Sequence, residues 1–153
     1  MQLGHMGIAV FVIGVTMVGA YQEEKDVRMA PGDTVTVGGY QIRLMGVGPA
    51  QGPNYQVMRG TFELVRNGKV QELMYPEKRN YDSSTMPMTE AAIDAGFTRD
   101  IYVSLGEPLE GNAWAVRVYY KPFVDWIWGG CLLMALGGLF AVLDKRYRLR
   151  VKK

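Results

Sequence analysis

The chain has 153 residues, 48% of them hydrophobic, a formal charge of +2, one histidine and one cysteine. That length normally makes one domain, and a single His and a single Cys exclude both a zinc site built from several such ligands within the chain and a Cys-His nucleophilic pair in its polar middle. No Walker A sequence, GxSxG or dinucleotide fingerprint is present, so phosphate-loop, serine-hydrolase and nicotinamide chemistry have no anchor. Formal charge is absent from residues 1–22, mixed through the middle, absent again from 126 to 143, and then crowded into DKRYRLRVKK. Two apolar spans therefore flank a polar module.

The first span, LGHMGIAVFVIGVTMVGA over residues 3–20, lies in a stretch of 22 residues that rises about 33 Å as a helix, enough for a bilayer core of about 30 Å. His5 lies inside it. An imidazole in hydrocarbon is costly unless it faces protein, a water-filled cavity or a metal, which makes His5 the candidate functional residue. A ring hydrogen-bonded at the membrane surface is the alternative. On a helix His5, Ala9, Val12, Thr16 and Gly19 share one stripe, whose small residues predict that another helix packs there. Val18-Gly19-Ala20 resembles a signal-peptide cleavage site, but no Lys or Arg precedes the run, which argues for a retained span.

A polar link, QEEKDVRMAPGD, follows and ends in the turn Pro31-Gly32-Asp33. Residues 34–37 alternate as a short strand, Gly38-Gly39 fits a two-residue hairpin turn, and 40–47 return. The run from Gly48 to Pro53 is expected to break the sheet. Residues 55–66 form one long strand with Gly60 as a bulge or bend, and Asn67-Gly68, the strongest hairpin signal in the chain, leads into 70–75. Residues 76–81 are expected to be a charged turn, and MPMTEAAIDAG (86–96) a short helix or an irregular loop. Strands at 99–105 and 114–120 complete six or seven. That pattern predicts an antiparallel barrel or sandwich, with closure favoured because it removes exposed edges. Glu77, Asp82, Glu90, Asp94, Asp100 and Glu107 read as solvated loop charges. The aromatics Tyr40, Tyr55, Tyr75, Tyr81, Tyr102, Trp114, Tyr119 and Tyr120 read as packing rather than as a base-stacking platform, so no nucleic-acid partner is expected.

The second span follows Lys121-Pro122, with Trp126 and Trp128 at one end, Tyr147 beyond the other, and a narrow face of Gly130, Met134, Gly137 and Ala141. Cys131 falls inside it as a small packing residue, leaving the polar module without a disulfide. The basic tail from Lys145 to Lys153 sets the orientation by the positive-inside rule: tail in the cytoplasm, polar module on the outer face. His5, 16 residues before Tyr21, then lies about 24 Å down the first helix, in the inner half of the bilayer. The expected class is membrane α+β: a transmembrane helix over residues 1–22 carrying His5, a periplasmic β-module over 23–121, a second transmembrane helix over 122–143 and a basic cytoplasmic tail over 144–153.

The segments HMGIAVFVIGV, EKDVRMAPGD, VGGYQIRLMGV, RGTFELVRNGK, PEKRNY, MPMTEAAIDAG, TRDIYVSLGEPL, WAVRVYYKPFVDWIWGG and LMALGGLFAVLDKRYR resemble, in order and over nearly the whole chain, the carboxyl-terminal part of the CcmF family of cytochrome c-type biogenesis proteins. The resemblance implies a bacterial inner-membrane haem lyase. Such a protein takes haem from a periplasmic haem chaperone and joins it by thioether bonds to apocytochrome c, with thiol-handling maturation subunits as partners. It also implies a transmembrane b-type haem held by two histidines on different helices. His5 opens the HxGxAVxxxG pattern and maps onto one axial ligand of the haem iron; Gly4 and Gly7 beside it would admit a flat porphyrin or serve ordinary helix packing. The family's tryptophan-rich haem-receiving loop, its flanking histidines and the second b-haem ligand are absent here. The chain alone, with no catalytic residue of its own, is therefore not expected to be active, and the remaining helices of the same protein are its first partners. A membrane-tethered scaffold or protein-binding module without cofactor is the alternative.

Overall fold

The computed structural model describes residues 2–83 and 86–143; the basic tail expected over 144–153, with Tyr147, lies outside them. Twelve elements are described: α1 (Gln2–Tyr21), β1 (Glu23–Met29), β2 (Thr34–Val37), β3 (Tyr40–Gln51), β4 (Tyr55–Arg66), β5 (Lys69–Met74), β6 (Glu77–Tyr81), β7 (Met88–Glu90), β8 (Ala92–Gly96), β9 (Arg99–Leu109), β10 (Ala113–Pro122) and α2 (Val124–Leu143). They form two compact units, one of both helices with the Gly96–Arg99 turn, the other of the strands.

The strand unit is an antiparallel sandwich. One sheet has the order β1-β10-β9-β8, the other β2-β3-β4-β6-β7 with β5 also on β4. Each sheet turns one face of its alternating residues inward. Met29, Ile101, Val103, Leu105, Trp114, Val116 and Val118 come from the first sheet, and Val37, Tyr40, Ile42, Leu44, Phe62, Leu64 and Met74 from the second. The favoured barrel closure is not what forms, because the two sheets remain separate ladders. Their edges are blunted by charge instead: Lys25 Nζ donates to the Thr36 carbonyl at 2.6 Å, and the Gly38 amide donates to Glu23 Oε2 at 3.1 Å.

Several local expectations hold. The span 34–37, the 55–66 strand and both hairpin turns are as expected, with φ of +52° and +78° at Gly38-Gly39 and +52° and +73° at Asn67-Gly68. These paired positive values are what a two-residue turn of the I′ kind requires.

Four expectations are corrected. Residues 23–29 of the polar link are β1, in register with β10: Met29 is buried in the core, and Asp26 lies directly opposite Arg117, whose guanidinium donates to it at 2.5 and 2.8 Å. The Gly48–Pro53 run does not break the sheet at its start: β3 pairs β4 through Gln51, since β2 covers only residues 40–43 of β3 and Pro49 lies on an otherwise open edge. Gly60 is not a bulge. The register slips at Leu44/Gly46 and Leu64/Val65, whereas Gly60 is where β4 exchanges partner β5 for β6, its amide donating to the Pro76 carbonyl at 2.9 Å. Finally, 76–81 is no turn and 86–96 holds no helix: β6 lines up on β4, and β7 and β8 occupy most of the second segment.

Candidate functional site

In the helical unit α1 and α2 are antiparallel on a seam of glycines. A Cβ on Gly7 would meet the Met134 amide nitrogen at 2.6 Å, one on Gly14 the Ile127 nitrogen at 2.9 Å, one on Gly130 the Phe11 nitrogen at 2.6 Å and one on Gly137 the Gly4 nitrogen at 2.5 Å. The seven-residue spacing within each helix keeps these positions on one side, so the backbones touch where no side chain intervenes. Of the α2 face read from sequence, Gly130, Met134 and Gly137 do meet α1. The His5, Ala9, Val12, Thr16 and Gly19 stripe does not meet α2: all five residues are exposed, because the glycine seam permits a closer approach. Gly4 and Gly7 belong to that seam, which is the helix-packing reading of the two given for them.

His5 is thus presented on an exposed face of α1, one residue round from the seam. The α1 side of the seam is what the sequence reading lacks, although the Gly-x6-Gly spacing at 7/14, matching that at 130/137, is the available signal. Cys131, half-buried on α2, is a free thiol.

In the strand unit the charges are organised by cross-strand register. Glu77 is 6% exposed and Asp100 5%, so these two are not the solvated loop charges expected. Glu77 accepts from Arg59 Nε at 2.6 Å and from Arg79 Nε at 2.7 Å, and Arg79 lies over the Tyr55 ring. Burial works against the Glu77 anion, but the hydrogen bonds from Arg79 and Arg59 and their charges outweigh it, holding the carboxyl below its ordinary range. Asp100 accepts from the Tyr102 hydroxyl at 3.3 Å. Asp26, on the surface, is likewise held low by its hydrogen bonds from Arg117. Lys78 ties the sheets together, donating to the Gly106 carbonyl at 3.3 Å and pairing with Glu107. Every one of these groups is spent on a structural partner. Among the described residues no group of three or more His, Cys, Asp or Glu side chains could hold a metal ion.

The aromatics divide. Tyr40 and Trp114 are buried in the core, whereas Tyr55 and Tyr81 pair across β4 and β6 with ring centroids 5.2 Å apart and Tyr75 is half-exposed. A shallow trough of about 570 Å³ on the outer face of β1, β9 and β10 is floored by Ser104, Gly106 and Ala115, between Arg28 and Arg117.

Two helices long and apolar enough to cross a membrane, with an antiparallel sandwich inserted between them in the chain, define the class: an α+β protein segment with span-length helices and one histidine on an exposed helix face. The family model for the CcmF C-terminal beta-sandwich matches residues 20–122. The chain is 55% identical over 152 residues to the cytochrome c-type biogenesis protein CcmF of Pseudomonas aeruginosa, covering 99% of this chain and 23% of that protein. It is 49% identical over 151 residues to the CcmF of Escherichia coli, with coverage of 99% and 23%. To the cytochrome c-type biogenesis protein ccl1 of Rhodobacter capsulatus it is 48% identical over 145 residues, with coverage of 94% and 22%. A solved structure of the cytochrome c heme lyase CcmF shares the fold, with a TM-score of 0.73 over 90% of this chain and 23% of that one at 19% identity. The chain belongs to the CcmF family of cytochrome c-type biogenesis proteins, and spans about a quarter of the length of the curated relatives it matches.

Proposed function

We propose that this chain is the carboxyl-terminal part of a cytochrome c maturation haem lyase in the bacterial inner membrane, with His5 supplying one axial ligand to a b-type haem. The observation that carries the reading is the separation of faces on α1: the glycine seam is consumed by α2, while the only histidine stands on the exposed side. A bis-histidine haem takes one axial imidazole from each of two helices rather than a cluster of ligands, so His5 with a second histidine on a helix outside this chain would be a fitting donor set. Ala9, one turn along from His5, keeps the neighbouring surface low. Such a b-type haem, held by His5 and the second histidine, would supply reducing equivalents for the haem being attached to apocytochrome c. His5 would contribute a ring nitrogen held on a helix whose position the seam sets, and its other nitrogen would take a partner that orients the ring.

In this reading both helices cross the bilayer and the sandwich lies in the periplasm, where apocytochrome c, the haem chaperone and the thiol-handling subunits work. The sandwich braces or docks those partners and carries no catalytic residue. Within residues 76–81 Pro76 and Glu77 are buried, so any partner docking there meets Lys78 to Tyr81 instead.

The test is to co-express this chain with the upstream portion that its relatives carry and record the absorption spectrum. Loss of the b-type band in His5→Ala, with the protein still assembled, is expected. An unchanged band removes His5 as an essential ligand and leaves this chain a tethered scaffold that contributes no ligand to the haem.

A further inference from the structure

We propose that the Gly96–Arg99 turn is a lipid-interface anchor, with Phe97 seated in the headgroup boundary of the bilayer beside Trp126. This rests on the membrane reading of α2. Phe97 is 74% exposed, although it sits in a tight turn between β8 and β9. Turns favour Gly, Asn, Asp, Ser and Pro for conformational reasons, and a large apolar ring in water there gains nothing. Its surroundings say what covers it.

The turn is fastened to the start of α2. The Trp126 indole N–H donates to the Phe97 carbonyl at 3.1 Å, and the Phe123 amide donates to the Thr98 carbonyl at 2.9 Å. The Phe97 and Trp126 ring centroids are 5.7 Å apart, and Phe123 meets Trp126 edge-on at 5.0 Å. Phe97 therefore sits at the level of the first turn of α2. A 20-residue helix rises about 30 Å, so its first turn falls at the edge of the hydrocarbon, where amphipathic rings prefer to lie. Asp125, exposed and adjacent to Trp126, confines the hydrocarbon to the residues that follow it. Trp128, 67% exposed, continues the aromatic collar. The indole hydrogen bond also leaves the Trp126 ring free of an unmet donor on its apolar side. The occupant of this surface is thus the interfacial layer of the bilayer, reached by an apolar ring whose polar backbone is already satisfied.

The test uses this chain assembled with the upstream helical portion of its relatives in phosphatidylcholine vesicles, with a single spin label at Thr98→Cys, Cys131 replaced by serine and Phe97 retained. Collision with oxygen is compared with collision with a water-soluble nickel complex. The oxygen-to-nickel ratio at 98 is expected to exceed that of a label at Lys69→Cys on the sandwich several-fold, and to fall in a Phe97→Asn background. Three results overturn the proposal: a ratio at 98 equal to that at 69, protection from both reagents, which would mean a protein cover, or a high ratio indifferent to Phe97→Asn. A label at Leu132→Cys on α2 separates the two levels of inference. If 132 also collides freely with nickel, the membrane reading itself fails; if 132 prefers oxygen and 98 does not, only the anchor fails.

Discussion

Replacing Gly130 by alanine should pry α1 from α2. The new Cβ would stand 2.6 Å from the Phe11 amide nitrogen and 2.7 Å from the Phe11 Cα, about 0.8 Å inside ordinary van der Waals contact. Both are backbone atoms, so no rotamer change relieves the clash and the helices must separate or tilt. Overpacking of this kind costs about 1–3 kcal/mol, or roughly 5- to 150-fold in helix association. The gain in helix propensity of about 1 kcal/mol from Gly to Ala is present with the helices together or apart, so it does not offset the loss. Gly138, with nothing within 4 Å of its Cβ position, is the matched control. Unfolding in mixed micelles of rising dodecyl sulfate content, followed by tryptophan fluorescence, should show Gly130→Ala dissociating well before Gly138→Ala. Equal midpoints would refute the seam. Because α1 carries His5, the same substitution should weaken the b-type band in the assembled protein.

Two further outcomes concern the sandwich. Glu77→Gln should cost about 1–3 kcal/mol rather than the larger sum for stranding a buried charge, because Arg59 and Arg79 remain 48% and 26% exposed and can turn to water. Its folded-state carboxyl is held below the unfolded value of 4.5, so the stabilisation is fully present above that pH and is lost as pH falls through the folded value. Thermal melts by circular dichroism should therefore show a shallower acid decline in Glu77→Gln than in the parent, and parallel curves would contradict the triad. Leu64→Ala, at a fully buried position, should cost about 2–5 kcal/mol in urea unfolding with an unchanged slope. A loss below about 1 kcal/mol would mean the two sheets do not close on Leu64.

The candidate site was only partly legible. His5 stood out because a lone polar ring in a charge-free span is conspicuous whatever surrounds it. Which side of α1 meets α2 was harder to read: both the His5 stripe and the Gly4–Gly7–Gly14 side are small enough to pack, and only the Gly-x6-Gly spacing shared with α2 separates them. Charge likewise misled at Glu77: four charged or polar residues in a row after a proline describe a turn until Arg59 is found directly opposite on β4.

Short-range physics is written in the order of residues, and there the chain is explicit. Asn67-Gly68 and Gly38-Gly39 turn where backbones of positive φ are cheapest, 55–66 is one strand from its first residue to its last, and the apolar spans declare themselves by length alone. Tertiary structure decided whatever depends on a distant partner. β1 and β6 are strands because β10 and β4 pair with them along the ladder, the sandwich stays open because side chains rather than a closing strand cover its edges, and the helix seam lies on glycines because only there can two backbones meet.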